Sequence, residues 1–303
     1  YSGIGSGGGV KHLTNKTVDF AGSDAPLTTK QYQSLQSDGG TVQIPWSMGA
    51  ITPVYNVKGV SGLKLDGPTL AKIFLGDITK WNNSAIKNLN PSANLPNKSI
   101  TVAHRSDASG TTYGFTGFLS QVSPKWKNQV GQTETPQWPT GVGGKGNPGV
   151  ASHVQNNSNS IGYVGFIYAV KNGLNVFKMK NKAGNYVSAS MSAVSAAAAG
   201  ASSNFPKGTA DWSSVSIGNA PGKKSWPIST LTYCIMYEDW GKAYSNKSKA
   251  EMKATLDYVK WCVNHGQQYS PKLQFPKIPS ALINLNNKTL SQMTYNGNPV
   301  LQG

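Results

Sequence analysis

A chain of 303 residues with 38% hydrophobic and 10% aromatic residues is long enough for two ordinary cores and too apolar to be disordered. No apolar run approaches the ~20 residues that a membrane-spanning helix needs. The formal net charge is +16, from 28 Lys+Arg against 12 Asp+Glu, yet the basic residues are scattered and no aromatic–basic stripe accompanies them. A basic balance can mean nucleic acid or a membrane surface as partner, but this scatter argues against both and for a solvated lysine surface that attracts small anions.

The chain opens on a glycine-rich loop, "SGIGSGGGVK", followed by a predicted helix over "VKHLTNKTV" and a strand over "VDFAGSDAP" that ends on polar residues. A helix is expected over "TTKQYQSLQS", then two strands, "TVQIPW" and "AITPVYNV". "GPTLAKIFLG" opens a helix with Pro68 in its first turn, where a missing N–H costs nothing. The strand "SITVAHR" runs into the loop "HRSDASGTTYGF", and "TTYGFTGFLSQV" is the next helix. "NPGVASHVQNNS", "SIGYVGF" and "IYAVKNGL" read as helix, strand and helix, and "SASMSAVSAAAAGA" as an alanine-rich helix ending near Gly200. A Ser/Gly/Pro-rich stretch without periodicity follows from Ala201 to Lys224. The strand "STLTYCIMYED" and a long helix close the pattern, the helix opened by a Ser248–Glu251 capping box and ended at Gly266. Strands alternating with helices argue an α/β fold, in which ligands sit where strand ends lead into helix N-termini.

Two glycine- and hydroxyl-rich loops hold that position. In the first, Ser6 can cap the following helix or donate its hydroxyl, and the backbone N–H groups suit an anion. In the second, Arg105 is the only arginine of the chain. Its planar fork matches a tetrahedral oxyanion in a way that a lysine point charge does not. Asp107 can lock the guanidinium in one rotamer; the bland alternative is a surface ion pair beside an ordinary N-cap. Asp24, at a strand end, reads on its own as a turn or N-cap residue; in combination with the loops it makes sense in an anion site if the anion carries a proton. Hydrogen phosphate can donate to it and sulfate cannot, and a site built around such a bond rejects the analogue lacking it by ~10⁴–10⁵. The histidines His12, His104, His153 and His265 have no spacing for metal or triad work, and no catalytic set is visible. Cys234 and Cys262 leave a disulfide and a buried thiol pair both open. Asn-x-Ser/Thr triplets at Asn15, Asn82, Asn97, Asn156, Asn246 and Asn287 permit glycosylation without arguing for it.

Together, "GIGSGGGVK", "TVDFAGSDAPL", "LDGPTLAKIFLGDITKWN", "AHRSDASGTTYGFTGFL", "GVGGKGNPGV", "SIGYV" and "WPIST" resemble the phosphate-binding protein of the phosphate ABC transporter. The resemblance runs from Tyr1 to about Thr230 and is looser beyond. It implies a two-lobed periplasmic-binding-protein (Venus-flytrap) fold with the ligand cleft between lobes. It also implies an extracytoplasmic receptor, periplasmic or cell-surface, that takes no cofactor, is a monomer, and delivers inorganic phosphate to a membrane permease. The implied ligand set is Ser6, Asp24, Arg105, Ser109, Gly110 and Thr111, with Asp107 orienting Arg105. The implied lobes are residues 1–47 with 233–303, and 48–232, so a Cys234–Cys262 disulfide would lie within one lobe. The family pattern begins with a strand, a Gly-Ala-Thr-Phe-Pro-type loop and a helix ahead of the "GIGS" loop. The expectation is that this segment exists outside the sequence given. Two rivals remain: an enzyme acting on phosphate esters, and a structural or adhesive, self-assembling extracellular protein that reuses the fold.

Overall fold

The computed structural model describes residues 1–201 and 205–301. In its first part lie helix α1 (Ser6–Thr14), strand β1 (Ala21–Ser23), α2 (Thr29–Gln36), the long strand β2 (Thr41–Asn56), β3 (Lys64–Leu65), α3 (Gly67–Phe74) and α4 (Ser84–Leu89). The middle contains β4 (Thr101–Arg105), α5 (Gly110–Val122), α6 (Pro124–Gln129), β5 (Val142–Gly144), α7 (Gly146–Asn156), β6 (Ser160–Gly165) and α8 (Phe166–Lys171). Three short strands follow, β7 (Asn175–Val176), β8 (Lys178–Lys180) and β9 (Tyr186–Val187), then α9 (Met191–Ala201). The last third holds β10 (Ser229–Tyr237), α10 (Trp240–Ala243), α11 (Lys249–Asn264), α12 (Ser280–Ser291), β11 (Thr294–Tyr295) and β12 (Asn298–Pro299).

The chain divides into two compact units. Unit 1 is Tyr1–Met48, Ala201–Ser216 and Leu231–Gly303; unit 2 is Gly49–Gly200 and Ile217–Thr230. The aperiodic stretch after Gly200 is therefore shared, with Ala201–Ser216 clustering in unit 1; residues 202–204 of that stretch lie outside the described residues.

In unit 1, β1 pairs antiparallel with β10, placing Ala21 opposite Ile235 and Ser23 opposite Tyr233. The Thr41 hydroxyl donates to the Met236 carbonyl at 3.0 Å, holding the start of β2 beside β10. Capping boxes start α2 (Thr28 with Gln31) and α11 (Ser248 with Glu251), each satisfying two orphan helix donors. The stripe Met252, Leu256, Val259 and Val263 of α11 is fully buried, at the spacing one helix face requires. Cys262 is half-buried and bonded to Tyr258, Cys234 lies buried on β10, and both are free thiols, so the open choice resolves to unbridged cysteines. Burial raises both thiols, Cys234 the more strongly.

In unit 2, β2 pairs antiparallel with β6, Ile51 facing Gly165 and Asn56 facing Ser160. Strand β4 runs parallel to β6 on one side and to β5 on the other. Helix α7 covers this sheet through Val150, Ala151 and Val154, packed with Val54, Ala103 and Val164. Its close seat depends on Gly144, where a Cβ would fall 2.7 Å from the Gly149 carbonyl carbon and from the Val150 nitrogen. The expected strands "TVQIPW" and "AITPVYNV" are one continuous strand. Ser47-Met48-Gly49 between them carries little strand propensity, but Met48 is fully buried and the backbone stays extended through it.

Candidate functional site

The anion loop of unit 2 is built by β4 entering α5. At the end of β4 the Arg105 side chain is only 5% exposed. Its Nε donates to Asp107 Oδ1 at 2.7 Å and its Nη2 to Oδ2 at 2.5 Å. The surface-ion-pair alternative fails on that burial. A guanidinium has five N–H donors, and Asp107 engages the Nε–Nη2 edge only, so Nη1 takes no part in the pair. Asp107 Oδ1 also accepts the Gly146 N–H at 3.0 Å, at the first turn of α7. Burial pushes the Asp107 carboxyl up, but the Arg105 and Gly146 hydrogen bonds outweigh it and hold the group below the ordinary carboxylate range.

Ser109 is the N-cap of α5. It is fully buried and accepts the Thr112 N–H at 3.1 Å, which leaves its hydroxyl proton for another acceptor. Gly110 and Thr111 occupy the first helical positions, where backbone N–H groups have no intrahelical acceptor. A second tier holds the loop in place. The buried Tyr163 hydroxyl accepts the Arg105 N–H at 3.2 Å and lies 2.6 Å from Thr112 Oγ1. Asn147 donates to Thr111 Oγ1 at 3.5 Å and accepts the Gly165 N–H at 3.1 Å. His104 is 9% exposed, stacked on Trp138 with ring centroids 4.6 Å apart, and burial lowers its pKa against two backbone hydrogen bonds. It is a core histidine.

In unit 1 the structure brings Ser6 and Asp24 together. Ser6 does not cap α1: Gly5 holds the cap position at φ 83°, a conformation that favours glycine, and Ser6 is the first helical residue. The buried Ser6 Oγ instead accepts the Asp24 N–H at 3.1 Å. Asp24 Oδ1 accepts the Thr232 hydroxyl at 2.6 Å. Thr232, Tyr163 and Asn147 are therefore site-supporting residues that the sequence reading missed. Thr232 is 208 positions from Asp24, and nothing local marks it.

Chemically, the unit 2 loop can bind an oxyanion through a fixed fork, a hydroxyl and helix N–H groups. Asp24 can accept a proton-bearing ligand oxygen. Among the described residues no group of three or more His, Cys, Asp or Glu side chains is placed to hold a metal ion. No helix among them is long and apolar enough to cross a membrane.

Comparison with known proteins gives the family. The PBP superfamily domain matches residues 1–263. The phosphate-binding protein PstS of Xylella fastidiosa (strain Temecula1) is 41% identical over 290 residues, covering 93% of this chain and 74% of its own. That of Haemophilus influenzae is 41% identical over 285 residues, covering 93% and 81%. The fold is shared with a high-affinity periplasmic phosphate-binding protein (PfluDING) solved with phosphate bound, at TM-score 0.72 and 20% identity, over 98% of this chain and 92% of that one.

Proposed function

The chain belongs to the PstS family of phosphate-binding proteins, within the PBP superfamily, and from that premise we propose that it is a receptor that binds inorganic phosphate and hands it to the membrane permease of an ABC importer. The observation that carries this reading is the buried Arg105–Asp107 pair, which holds the single guanidinium of a lysine-rich chain in the loop just ahead of the Ser109 N-cap of α5. The candidate ligand residues are Ser6 and Asp24 in one set and Arg105, Ser109, Gly110 and Thr111 in the other. Asp107 orients Arg105, and Thr232 orients Asp24.

Selectivity follows from proton inventory. Arg105, the hydroxyls and the helix N–H groups are donors and suit any tetrahedral oxyanion. Asp24 is the one acceptor in the set and asks the ligand for a proton. Sulfate at neutral pH has none, so it would set an oxygen against a carboxylate. The function is binding and release rather than turnover, in a periplasmic or cell-surface monomer with neither a cofactor nor nucleic acid as partner.

The test is a calorimetric titration of the ligand-stripped chain with phosphate and then sulfate at neutral pH. Tight one-to-one phosphate binding with sulfate silent supports the receptor. A folded chain that binds neither anion, or self-associates without regard to phosphate, favours a structural or adhesive role. Turnover of a chromogenic phosphate ester with divalent metal would replace the receptor with an enzyme.

A further inference from the structure

The charge is unevenly divided. Unit 2 carries sixteen of the 28 Lys+Arg and four of the 12 Asp+Glu, a formal +12, which leaves +4 for unit 1. Part of that excess is concentrated on one small sheet. Strand β3 runs parallel to β8 with Lys64 opposite Lys178, and β8 runs antiparallel to β9. Along β8, Lys178 and Lys180 are exposed while Met179 between them is fully buried, so the pleat puts both lysines on the outer face. Just past β8, the buried Asn181 amide donates at 3.1 Å to the carbonyls of Gly222, Lys223 and Ser225. That anchor seats the backbone of the exposed Lys223 and Lys224 against the residue that precedes the exposed Lys182.

Among the described residues, no ion pair joins any of these six lysines to a carboxylate. Asp66, which acts on Tyr186 in the same neighbourhood, has its Oδ1 committed to the Thr69 N–H. Like charges directly opposite on paired strands are destabilising, and Lys64 against Lys178 is such a pair. A fold that keeps this arrangement presents a surface that an external polyanion would stabilise.

We propose that this lysine face docks unit 2 on an anionic phospholipid membrane, by contact with headgroup phosphates. The side-chain chemistry selects lipid over other polyanions. Lysine is a flexible point charge that suits a fluid array of phosphates, whereas fixed phosphates favour arginine forks, and the chain's one arginine sits in the anion loop. The face offers no run of stacking aromatics for single-stranded nucleic acid and no aromatic–Arg anchor of the kind that dominates protein interfaces. Its one ring, Tyr186, lies under the Lys64 ammonium at 5.3 Å, an amphipathic pairing suited to the headgroup level. This inference does not depend on what the anion loop binds.

The test is co-sedimentation of the full chain with phosphatidylcholine vesicles, with and without phosphatidylglycerol. Binding is expected only to the anionic vesicles, and should vanish near 1 M salt, where screening acts within about 3 Å. The variant K64E/K178E/K180E should lose about 100-fold in partition, from the stabilisation each lysine gains near an anionic surface. A variant with the same net charge, K249E/K253E/K260E on exposed positions of α11 in unit 1, should lose far less. Equal losses in the two variants would reduce the effect to net charge and overturn the proposal. So would equal binding to neutral vesicles, no vesicle binding at all, or capture of soluble polyphosphate by a chain that ignores vesicles. Unchanged circular dichroism and phosphate titration in both variants separate loss of docking from loss of fold.

Discussion

Asp107 holds Arg105 along one edge of the guanidinium, through Nε at 2.7 Å and Nη2 at 2.5 Å, so that Nη1 takes no part in the pair. The pair also answers why lysine cannot replace arginine there. An ammonium could reach either the carboxylate or an anion with good geometry, but a planar fork serves both at once. Arg105→Lys should weaken phosphate binding by at least about 100-fold, the loss of one or two charge-assisted bonds, as read by calorimetry. An unchanged affinity would refute the fork. Asp107→Asn should destabilise unit 2 by about 3 kcal/mol, because it leaves a buried guanidinium without its counter-ion. Chemical denaturation measures that loss.

Asp24 and Thr232 are tested as a unit. Asp24→Asn should narrow the phosphate-over-sulfate preference, since an amide no longer demands a proton from the ligand. Thr232→Val keeps the shape of the side chain and removes the 2.6 Å donation to Oδ1. It should cost about 10-fold in phosphate affinity, the scale of one hydrogen bond to a charged group. If selectivity survives Asp24→Asn, the proton-acceptor argument is wrong.

Ser109 has two tasks that substitution can separate. Ser109→Ala removes the cap of α5 and should lower stability by about 1 kcal/mol, whereas glycine at an N-cap costs only a few tenths. Both variants lose the hydroxyl. Equal losses of phosphate affinity with unequal losses of stability would assign the hydroxyl to the ligand.

Acid should act on unit 2 in two stages. Burial depresses the His104 pKa, so the unfolded chain takes up this proton first. Stability from the neutral ring is complete above the ordinary histidine value of about 6.5 and falls as pH drops below it toward the folded pKa. Asp107 lies below the ordinary carboxylate range, so its contribution is present above about pH 3.9 and is lost only as pH falls through its depressed folded value. Denaturation midpoints followed against pH should show the upper stage in the wild type. It should be absent from His104→Phe, which keeps a ring against Trp138.

The thiols offer a simpler check. Burial raises both cysteines, and Cys234 is fully enclosed while Cys262 is half-exposed. Alkylation of the native chain at neutral pH should be slow, with Cys262 modified well before Cys234, as peptide mass mapping would show.

Most elements were legible because their signals are local. Thr28 and Gln31, Ser248 and Glu251, and Pro68 in the first turn of α3 mark helix starts within a few residues of themselves. Helices α4, α6, α10 and α12 and the short strands β3, β5, β7, β8, β9, β11 and β12 escaped notice, being either weakly patterned or too short for any period to register. The anion loop was legible because arginine is singular in this composition. Its supports were not, because Tyr163 reaches Arg105 across 58 positions and Thr232 reaches Asp24 across 208. The sequence leaves Ser6 open as a cap or a hydroxyl donor for a related reason. A serine after glycine reads as an N-cap, and only the tertiary partner, the Asp24 N–H, shows that its hydroxyl is used elsewhere.

The Tyr163 phenol touches the last residue of β4 and the first turn of α5 at once. The four residues between Arg105 and Gly110 are thus tied at both ends, with the Ser109 N–H further held by the Glu134 carbonyl at 3.2 Å. A loop so restrained has little conformational freedom left to surrender when an anion arrives, and ordering costs of this kind are among the main debits against affinity. On the proposed function, the phenol would sharpen binding by holding the loop in place before the anion arrives.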